Sequence, residues 1–409
     1  MIPAIPGIPV PPATLAAAAA MRETWDGVVI GGGPAGAAAA LRLVRSGWRV
    51  LLVDRCDFPR PKVCGCCLSN AALEELAALD LPAGSLPAGV PLDVVRLVAD
   101  GQEALITMPA GATVSREALD TGLVRAAIAA GVAWLPELTV TAIDTASDGI
   151  AAVEARPAGA GPVHVRARCV VIAAGLTDAI RVTRAGETPA GRAGRRRRAA
   201  ARRIGIGATL PAAAADLPAG ELVMAVCRGG YVGIVRLDDG RIDVAAAVAP
   251  AVAAAAGSPA AAITALLTAA CGPAGRLVDA DAVHSAHVRA TPPLTHRSAL
   301  TAGGCDTVVR LGDAAAYVEP FTGEGIGWAL ASARAFADAA ASTSCPATRA
   351  ARYRSSHAAL FTARHARCLG VARAVRHPWL LGGAIRLARI APRVAAGVLP
   401  WLVGAGRLS

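Results

Sequence analysis

Lysine is all but missing from this chain: Lys62 is the only one, so nearly every positive charge is carried by arginine. Acidic residues are missing from everything after Asp338. Eleven arginines follow it (Arg349, Arg352, Arg354, Arg364, Arg367, Arg373, Arg376, Arg386, Arg389, Arg393 and Arg407), and they match the whole net charge of +11. The rest of the chain is therefore close to neutral. Two readings of this basic region stay open: a surface that touches anionic lipid or an acidic partner, and a solvated helix face. Aromatics make up only 3%. The arginine-rich stretch has no aromatic interleaving and no reader-module pattern, so nucleic acid is not an expected partner. Ten cysteines in 409 residues are too dilute for a disulfide scaffold. No G-x-S-x-G elbow is present, which leaves a hydrolase reading without support.

Charge is missing from two further places. The first twenty residues carry none; they lack the basic n-region of a signal peptide, and their prolines prevent a continuous helix. Residues 1–24 are expected to be a disordered lead-in, with Met21 as an alternative start. Val244 to Gly275 is also uncharged and long enough to span a bilayer. However, Pro250, Pro259 and Pro273 interrupt it, and alanine dominates its composition. Ser258-Pro259 predicts the start of a soluble helix, with serine as N-cap and proline in the first turn. The expectation is a cytoplasmic protein without a transmembrane helix, peripheral membrane contact through the basic region remaining open. The oligomeric state is not legible.

Against these absences stands a 54% apolar composition, enough to bury a large core and exclude general disorder. The length allows two or three domains. Val28-Val29-Ile30 fits a buried parallel strand. It runs into Gly31-Gly32-Gly33-Pro34-Ala35-Gly36, which satisfies G-x-G-x-x-G. A run of good helix formers follows, stopped by Gly47, and then a second strand, Val50–Val53, ending in Asp54. Each part has a physical task. Gly31 permits the tight turn, Gly33 lets backbone approach a pyrophosphate, and Gly36 lets the helix pack close to the sheet. The helix start, with Pro34 and Ala35, offers free N–H groups and a positive dipole end to phosphates. Asp54 is placed to accept ribose hydroxyls. Because strand, turn, helix, strand and acid all occur in order, the motif predicts dinucleotide binding.

After Asp54 comes Arg55 and the segment DRCDFPRPKVCGCCLSNAALEEL. With the dinucleotide turn it resembles the geranylgeranyl-reductase family of flavoproteins, within the fold group of the aromatic-ring flavin monooxygenases. The resemblance recurs in three later places and spans about Asp26 to Phe336. The helix start at Val114–Asp120 matches the family's R-x-x-L-D, which implies that Arg116 lies near the flavin ribityl and phosphate groups. The strand Cys169–Gly175 matches the family's strand before A-D-G-x-x-S-x-x-R, with Arg181 in the final place. Here Ala174 stands for the usual Asp and Asp178 for the Ser. Val308–Ala315 followed by Val318–Gly327 matches the third flavin segment. By resemblance Asp313, after Gly312, binds the ribityl hydroxyls of FAD, as a carboxylate does well. The turn with Pro320, Gly323, Glu324, Gly325 and Ile326 brings backbone N–H groups to the ring. The following helix points its positive end where negative charge develops on reduction.

The cysteine run Cys64-Gly65-Cys66-Cys67 is C-x-C-C. No second pair or nearby histidine completes a metal set, so no metal is expected. The resemblance places this loop against the flavin. Cys64 is a candidate substrate-side contact, and Cys66 and Cys67 are either redox-sensitive thiols or small packing residues. Strands are expected at Arg203–Leu210, Leu222–Val226, Gly230–Val235 and Arg241–Val244, with Asp238-Asp239-Gly240 as the hairpin turn between the last two. Such a sheet would roof the flavin and leave an apolar cavity. Prenyl reductases of the family tend to carry Y-x-W-x-F-P; here Tyr231, the other substrate-side candidate, is followed by Val232-Gly233-Ile234-Val235-Arg236. The W-x-W-x-I-P of flavin halogenases is absent too. His284 and His287 are read as surface or packing residues.

The expected fold is α/β: a Rossmann-type FAD-binding domain with an inserted antiparallel β-sheet substrate domain and a helical carboxy terminus. Residues 25–98, 110–182 and 283–345 are assigned to the FAD domain, 99–109 and 199–282 to the substrate domain, and 346–409 to the basic helical region. The expected function is an FAD-dependent oxidoreductase, reductase or monooxygenase. Its substrate would be a hydrophobic small molecule such as an isoprenoid, polyketide or aromatic, with NAD(P)H as transient electron donor. A non-redox flavin-dependent cyclase or isomerase, and a flavin-binding membrane-associated scaffold, are the alternatives.

Overall fold

The computed structural model describes residues 8–9, 11–108, 110–146, 148–177, 179–184, 202–272, 277–294, 297–298, 300–302, 305–319, 321 and 323–390. A six-stranded sheet runs in the order Thr301–Ala302, Cys305–Arg310, Val170–Ile172, Gly27–Ile30, Val50–Val53, Ala133–Leu135. All its neighbours pair parallel except the first two. Parallel strands covered on both faces read as unbroken apolar runs, and Val28-Val29-Ile30 and Val50–Val53 do. One face of these strands packs Val29, Leu52 and Val171 on helices. The other packs Val28, Ile30, Leu51 and Val170 against a five-stranded sheet through Ile143, Val153 and Val165.

The helix Pro34–Arg45 explains part of the alanine content. Ala37, Ala38, Ala39 and Ala40 are fully buried between the sheet and the helix Gly325–Ala341. Small side chains let both neighbours approach closely.

A seven-stranded sheet forms the second unit, in the order Arg289–Pro293, Ile204–Leu210, Ile242–Val248, Gly230–Arg236, Glu221–Cys227, Val94–Ala99, Gln102–Thr107. It is antiparallel except where Val94–Ala99 runs parallel to Glu221–Cys227. The four expected strands are present, and Leu237 N–H closes the Asp238–Gly240 turn on the Arg241 carbonyl. Ser258 caps the helix Pro259–Cys271 by accepting from Ala261 N–H at 3.1 Å. That helix covers the sheet's outer face through Ile263, Leu266 and Leu267. No single helix among the described residues is long and apolar enough to cross a membrane.

Three expectations need correction. Residues 11–24 are not a disordered lead-in. Thr14 exchanges backbone and side-chain hydrogen bonds with Trp134, Pro11 accepts from the Trp134 indole at 3.3 Å, and Ala20 is fully buried. A wholly buried tryptophan demands a partner for its N–H, and this segment supplies it. The boundaries of the substrate unit also move. Val94–Ala99, assigned to 25–98 in all but its last residue, and Arg289–Pro293, assigned to 283–345, both hydrogen-bond into the seven-stranded sheet. The hairpin Val94–Thr107 pairs as one piece, so a boundary at residue 98 would cut its ladder. The sheet, finally, is mixed rather than wholly antiparallel. The four-arginine run Arg195–Arg198, Pro273 and Asp178 lie outside the described residues.

At the carboxy-terminal end the helices Pro346–Ala374 and Pro378–Ile390 pack back on the molecule. His357 and His365 sit with Tyr353, Phe361 and Trp328 in one aromatic cluster. Burial and then the neighbouring His365 lower His357 to about 4. The unfolded chain therefore takes up a proton that the native state refuses, and stability is lost as pH falls from about 6.5 toward 4. Replacing His357 by Phe is expected to remove this part of the acid sensitivity, read as a flatter plot of urea midpoint against pH over that window.

Candidate functional site

A cavity of about 710 Å³ lies between the glycine turn, the cysteine loop and the seven-stranded sheet. At its first end, backbone geometry enforces glycine. Gly31 has φ +107°, and a Cβ there would meet the Ala173 carbonyl oxygen at 2.5 Å. A Cβ on Gly36 would lie 1.8 Å from the Gly31 carbonyl oxygen. These contacts press the start of the helix Pro34–Arg45 onto the sheet. Gly33 differs: the space its Cβ would fill faces Arg60 Nη2 at 3.7 Å and Arg116 Nη2 at 4.0 Å. Asp54 ties the turn to the second strand, accepting from Gly32 N–H at 2.7 Å and Cys56 N–H at 3.0 Å.

Cations converge on this end. Arg116, at the start of the helix Arg116–Ala129, forks onto Asp120 at 2.9 and 2.8 Å. Arg60 Nη2 lies 3.5 Å from Asp120 and 3.6 Å from Asp54, with its guanidinium 4.6 Å from the Phe58 ring. Arg60 Nε is buried without a partner, and leaving such a donor unpaired costs about 1–3 kcal/mol. Lys62 reaches water through the cavity but is walled by protein. Desolvation, with Arg60 and Arg116 nearby, lowers its amine to about 8. Across from it Asp313 is pushed up to about 6 by burial, against the pull of Lys62 and Arg116. Arg55, Arg60, Lys62, Arg116 and Arg289 line the cavity, against two acids, Asp54 and Asp313, among the described residues.

The cysteine loop turns through Cys66, which has φ +53°. Its N–H points at Cys64 Sγ at 3.4 Å. The Cys64 thiol drops to about 5, first because the Cys66 thiol hydrogen-bonds to it and then because Arg116 lies beside it, while burial opposes both. Cys66 is raised by that same bond and by burial. Cys67 is raised by burial, and its thiol donates to the Gly65 carbonyl at 2.9 Å. Behind Cys66 stands Asp243 on the cavity face of the sheet. Burial, then Cys64 and Glu117, raise its carboxyl well above the usual range. At the far end the wall is apolar and built of small residues: Gly205, Gly233, Ala245 and Ala247, with Leu222, Met224 and Tyr231. Tyr231 is edge-on to Phe321 at 5.0 Å, with the Arg203 guanidinium 5.5 Å from its ring.

Most of the expected site residues meet here. Gly31, Gly33, Pro34, Ala35, Asp54, Arg55, Cys64, Arg116, Gly175, Tyr231, Gly312, Asp313, Gly323, Gly325 and Ile326 all line the cavity. Gly36 lies beneath the turn. Glu324 is a correction: its carboxylate is not on the wall but accepts from the Trp328 indole at 3.0 Å and pairs with Arg367. It anchors the helix Pro346–Ala374, because that helix delivers an arginine to an acid that would otherwise be buried alone. Arg181 is exposed on the strand Arg181–Arg184, and His284 and His287 are exposed. Pro320 lies outside the described residues. Sequence reasoning missed Arg60, Lys62, Asp120 and Asp243 as members of the site. The singularity of Lys62 was the one available signal.

Residues 26–214 match the family model described as FAD dependent oxidoreductase. Over that stretch, less than half of its length, the chain is similar to FAD-dependent oxidoreductases. The chain is 46% identical over 61 residues to a menaquinone reductase of Mycolicibacterium smegmatis, a stretch covering 15% of each chain. The curated relatives first in similarity are matched over 14–16% of their length. In fold the likeness is much longer. The crystal structure of a geranylgeranyl bacteriochlorophyll reductase-like protein from Thermoplasma acidophilum superposes with TM-score 0.72 at 17% identity, covering 94% of this chain and 96% of that one. The myxobacterial chondrochloren halogenase gives 0.64 at 18%, covering 91% and 90%. The Rossmann-type domain with a second sheet unit is thus the fold of known flavoproteins.

FAD fits the residues present. The open space at Gly33, the N-terminal end of the helix Pro34–Arg45, the unpaired Arg60 Nε and the excess of cations suit a pyrophosphate. Asp313 suits hydroxyl donors. Two outcomes follow. Asp313→Ala is expected to yield colourless protein, measured as visible flavin absorbance per chain; a fully yellow variant counts against the assignment. In the apoprotein, flavin affinity is expected to weaken as pH rises through about 8, where Lys62 loses its charge. Lys62→Met, titrated by flavin fluorescence, should bind about tenfold more weakly near neutrality and lose that step.

Proposed function

We propose that this chain uses FAD to transfer electrons between NAD(P)H and a hydrophobic small molecule of isoprenoid, polyketide or aromatic kind. One observation carries this reading: a single cavity joins the cation-lined glycine turn to the apolar face of the seven-stranded sheet. When bound, FAD supplies the acceptance and delivery of hydride. Everything else falls to the chain. Arg60, Lys62 and Arg116 hold the anionic end. The N-terminal N–H groups of the helix Gly325–Ala341 line the wall at Gly325 and Ile326 and favour developing negative charge nearby. Leu222, Met224, Ala245 and Ala247 exclude water from the far end. The Cys66 N–H points at Cys64 Sγ and the Cys66 thiol at the Cys64 carbonyl, while the Cys64 contact and burial raise Cys66 and burial raises Asp243 behind it.

Gly233 sets the width of the apolar end. It stands two residues after Tyr231 and faces Met224, whose sulfur would lie 3.4 Å from an added Cβ. A wide, smooth surface suits a ligand read by shape and apolar area rather than by polar groups. Two measurements test the reading. NAD(P)H oxidation, followed with and without oxygen across isoprenoid, polyketide and phenolic candidates, is expected to be stimulated by an apolar substrate; turnover of substrate with no net oxidation of nucleotide would sink it. Gly233→Trp is expected to keep its flavin and to lose kcat/KM by roughly tenfold or more for the largest accepted substrate, and less for smaller ones.

A further inference from the structure

We propose that the outward face of the helix Pro378–Ile390 docks on an anionic lipid surface. Four large apolar side chains are well exposed among the described residues, and two of them, Trp379 at 67% and Leu380 at 44%, are adjacent on this helix. At about 100° per residue, positions 379, 380, 383 and 386 share one arc of a helix, and 381 and 385 the opposite one. The burial agrees: Leu381 and Ile385 are buried against Val95, Leu97 and Ile106, while Gly383 and Arg386 are exposed. A helix that only faced water would carry polar residues on its outer arc. This one carries an indole, an isobutyl group and a guanidinium.

Cations frame the apolar pair. Arg373 and Arg376 are exposed at the end of the preceding helix, and Arg386 is exposed one to two turns beyond Trp379. Acids reach two of them: Asp100 pairs with Arg386 at 3.1 Å, and Glu319 approaches Arg376 at 3.8 Å. Both acids come from other elements, since no acidic residue follows Asp338 while eleven arginines do. An acidic protein surface would be met by the arginines alone. The tryptophan and leucine between them favour lipid, where an indole sits at headgroup level and an apolar side chain enters the acyl boundary. Arginine stems add apolar cover while their charges stay at the phosphates.

The location gives the contact a use. The inner arc of the helix packs into the same apolar cluster that holds Met224, Tyr231 and Phe321, and those three line the cavity. A docked helix therefore stands between lipid and the apolar end of the cavity, at a spacing of roughly 10 Å, one helix diameter. This use rests on the proposed function; the docking itself does not.

The test is co-sedimentation of the full flavin-loaded chain with phosphatidylcholine vesicles, with and without phosphatidylglycerol. Binding is expected only with phosphatidylglycerol and is expected to weaken as salt rises. Trp379→Ser with Leu380→Ser is expected to weaken it about tenfold. Leu105→Ser removes a side chain that is 69% exposed on the strand Gln102–Thr107 and is expected to leave binding unchanged. Flavin content and melting temperature report whether each variant is folded. As a second measurement, brominated lipid in the vesicles is expected to quench part of the tryptophan emission, and Trp379→Leu to abolish that part. Unaltered sedimentation of the double variant, equal binding to uncharged vesicles, or capture by polyglutamate beads but not by vesicles would overturn the proposal. Vesicle binding without nucleotide oxidation would count only against the redox reading.

Discussion

A single backbone contact governs the geometry of the site. The Gly31 carbonyl occupies the place where residue 36 would carry a β-carbon, so the helix Pro34–Arg45 meets the sheet without a side chain between them. The next turns of that helix keep the approach with Ala37 to Ala40, all fully buried. Its N-terminal N–H groups are thereby aimed into the cavity instead of at solvent. Gly312 extends the same logic from another part of the chain. A Cβ there would stand 3.1 Å from Ala35, so the loop carrying Asp313 can close over the helix start. The turn, the first helix and the third flavin-type segment form one close-packed corner.

Around that corner the charges are arranged to need a guest. Asp120 is fully buried and serves both Arg116 and Arg60, while Asp54 is largely engaged by backbone N–H groups. With Asp313, three carboxylates face the five wall cations. Desolvation first, and the neighbouring Arg60 and Arg116 second, lower the Lys62 amine, and Arg60 Nε is left unpaired. An anionic cofactor relieves both, and its binding energy would be spent stabilising a corner that is self-repelling without it. At the other end the logic reverses. Gly205, Gly233, Ala245 and Ala247 leave volume instead of charge, and Arg203 pairs with Glu319 at 2.7 Å beside the cavity.

The sequence by itself determined the local pieces. The dinucleotide turn, the Arg116 helix start, the Gly312-Asp313 pair and the four sheet strands each depend on residues close in sequence: a glycine where Cβ cannot fit, a serine at a helix cap, an alternating strand. Tertiary structure decided what these pieces became. Residues 11–24 gained order from Trp134, more than a hundred positions away. Val94–Ala99, with its hairpin partner Gln102–Thr107, joined a sheet whose other five strands lie beyond residue 200, because a parallel ladder with Glu221–Cys227 has no local signature. Glu324 turned from the cavity to Arg367, and Asp243 came to stand behind Cys66, through packing between segments that no spacing rule connects. Backbone conformation is written in neighbouring residues. The partner of a buried charge is chosen only when distant segments are brought together.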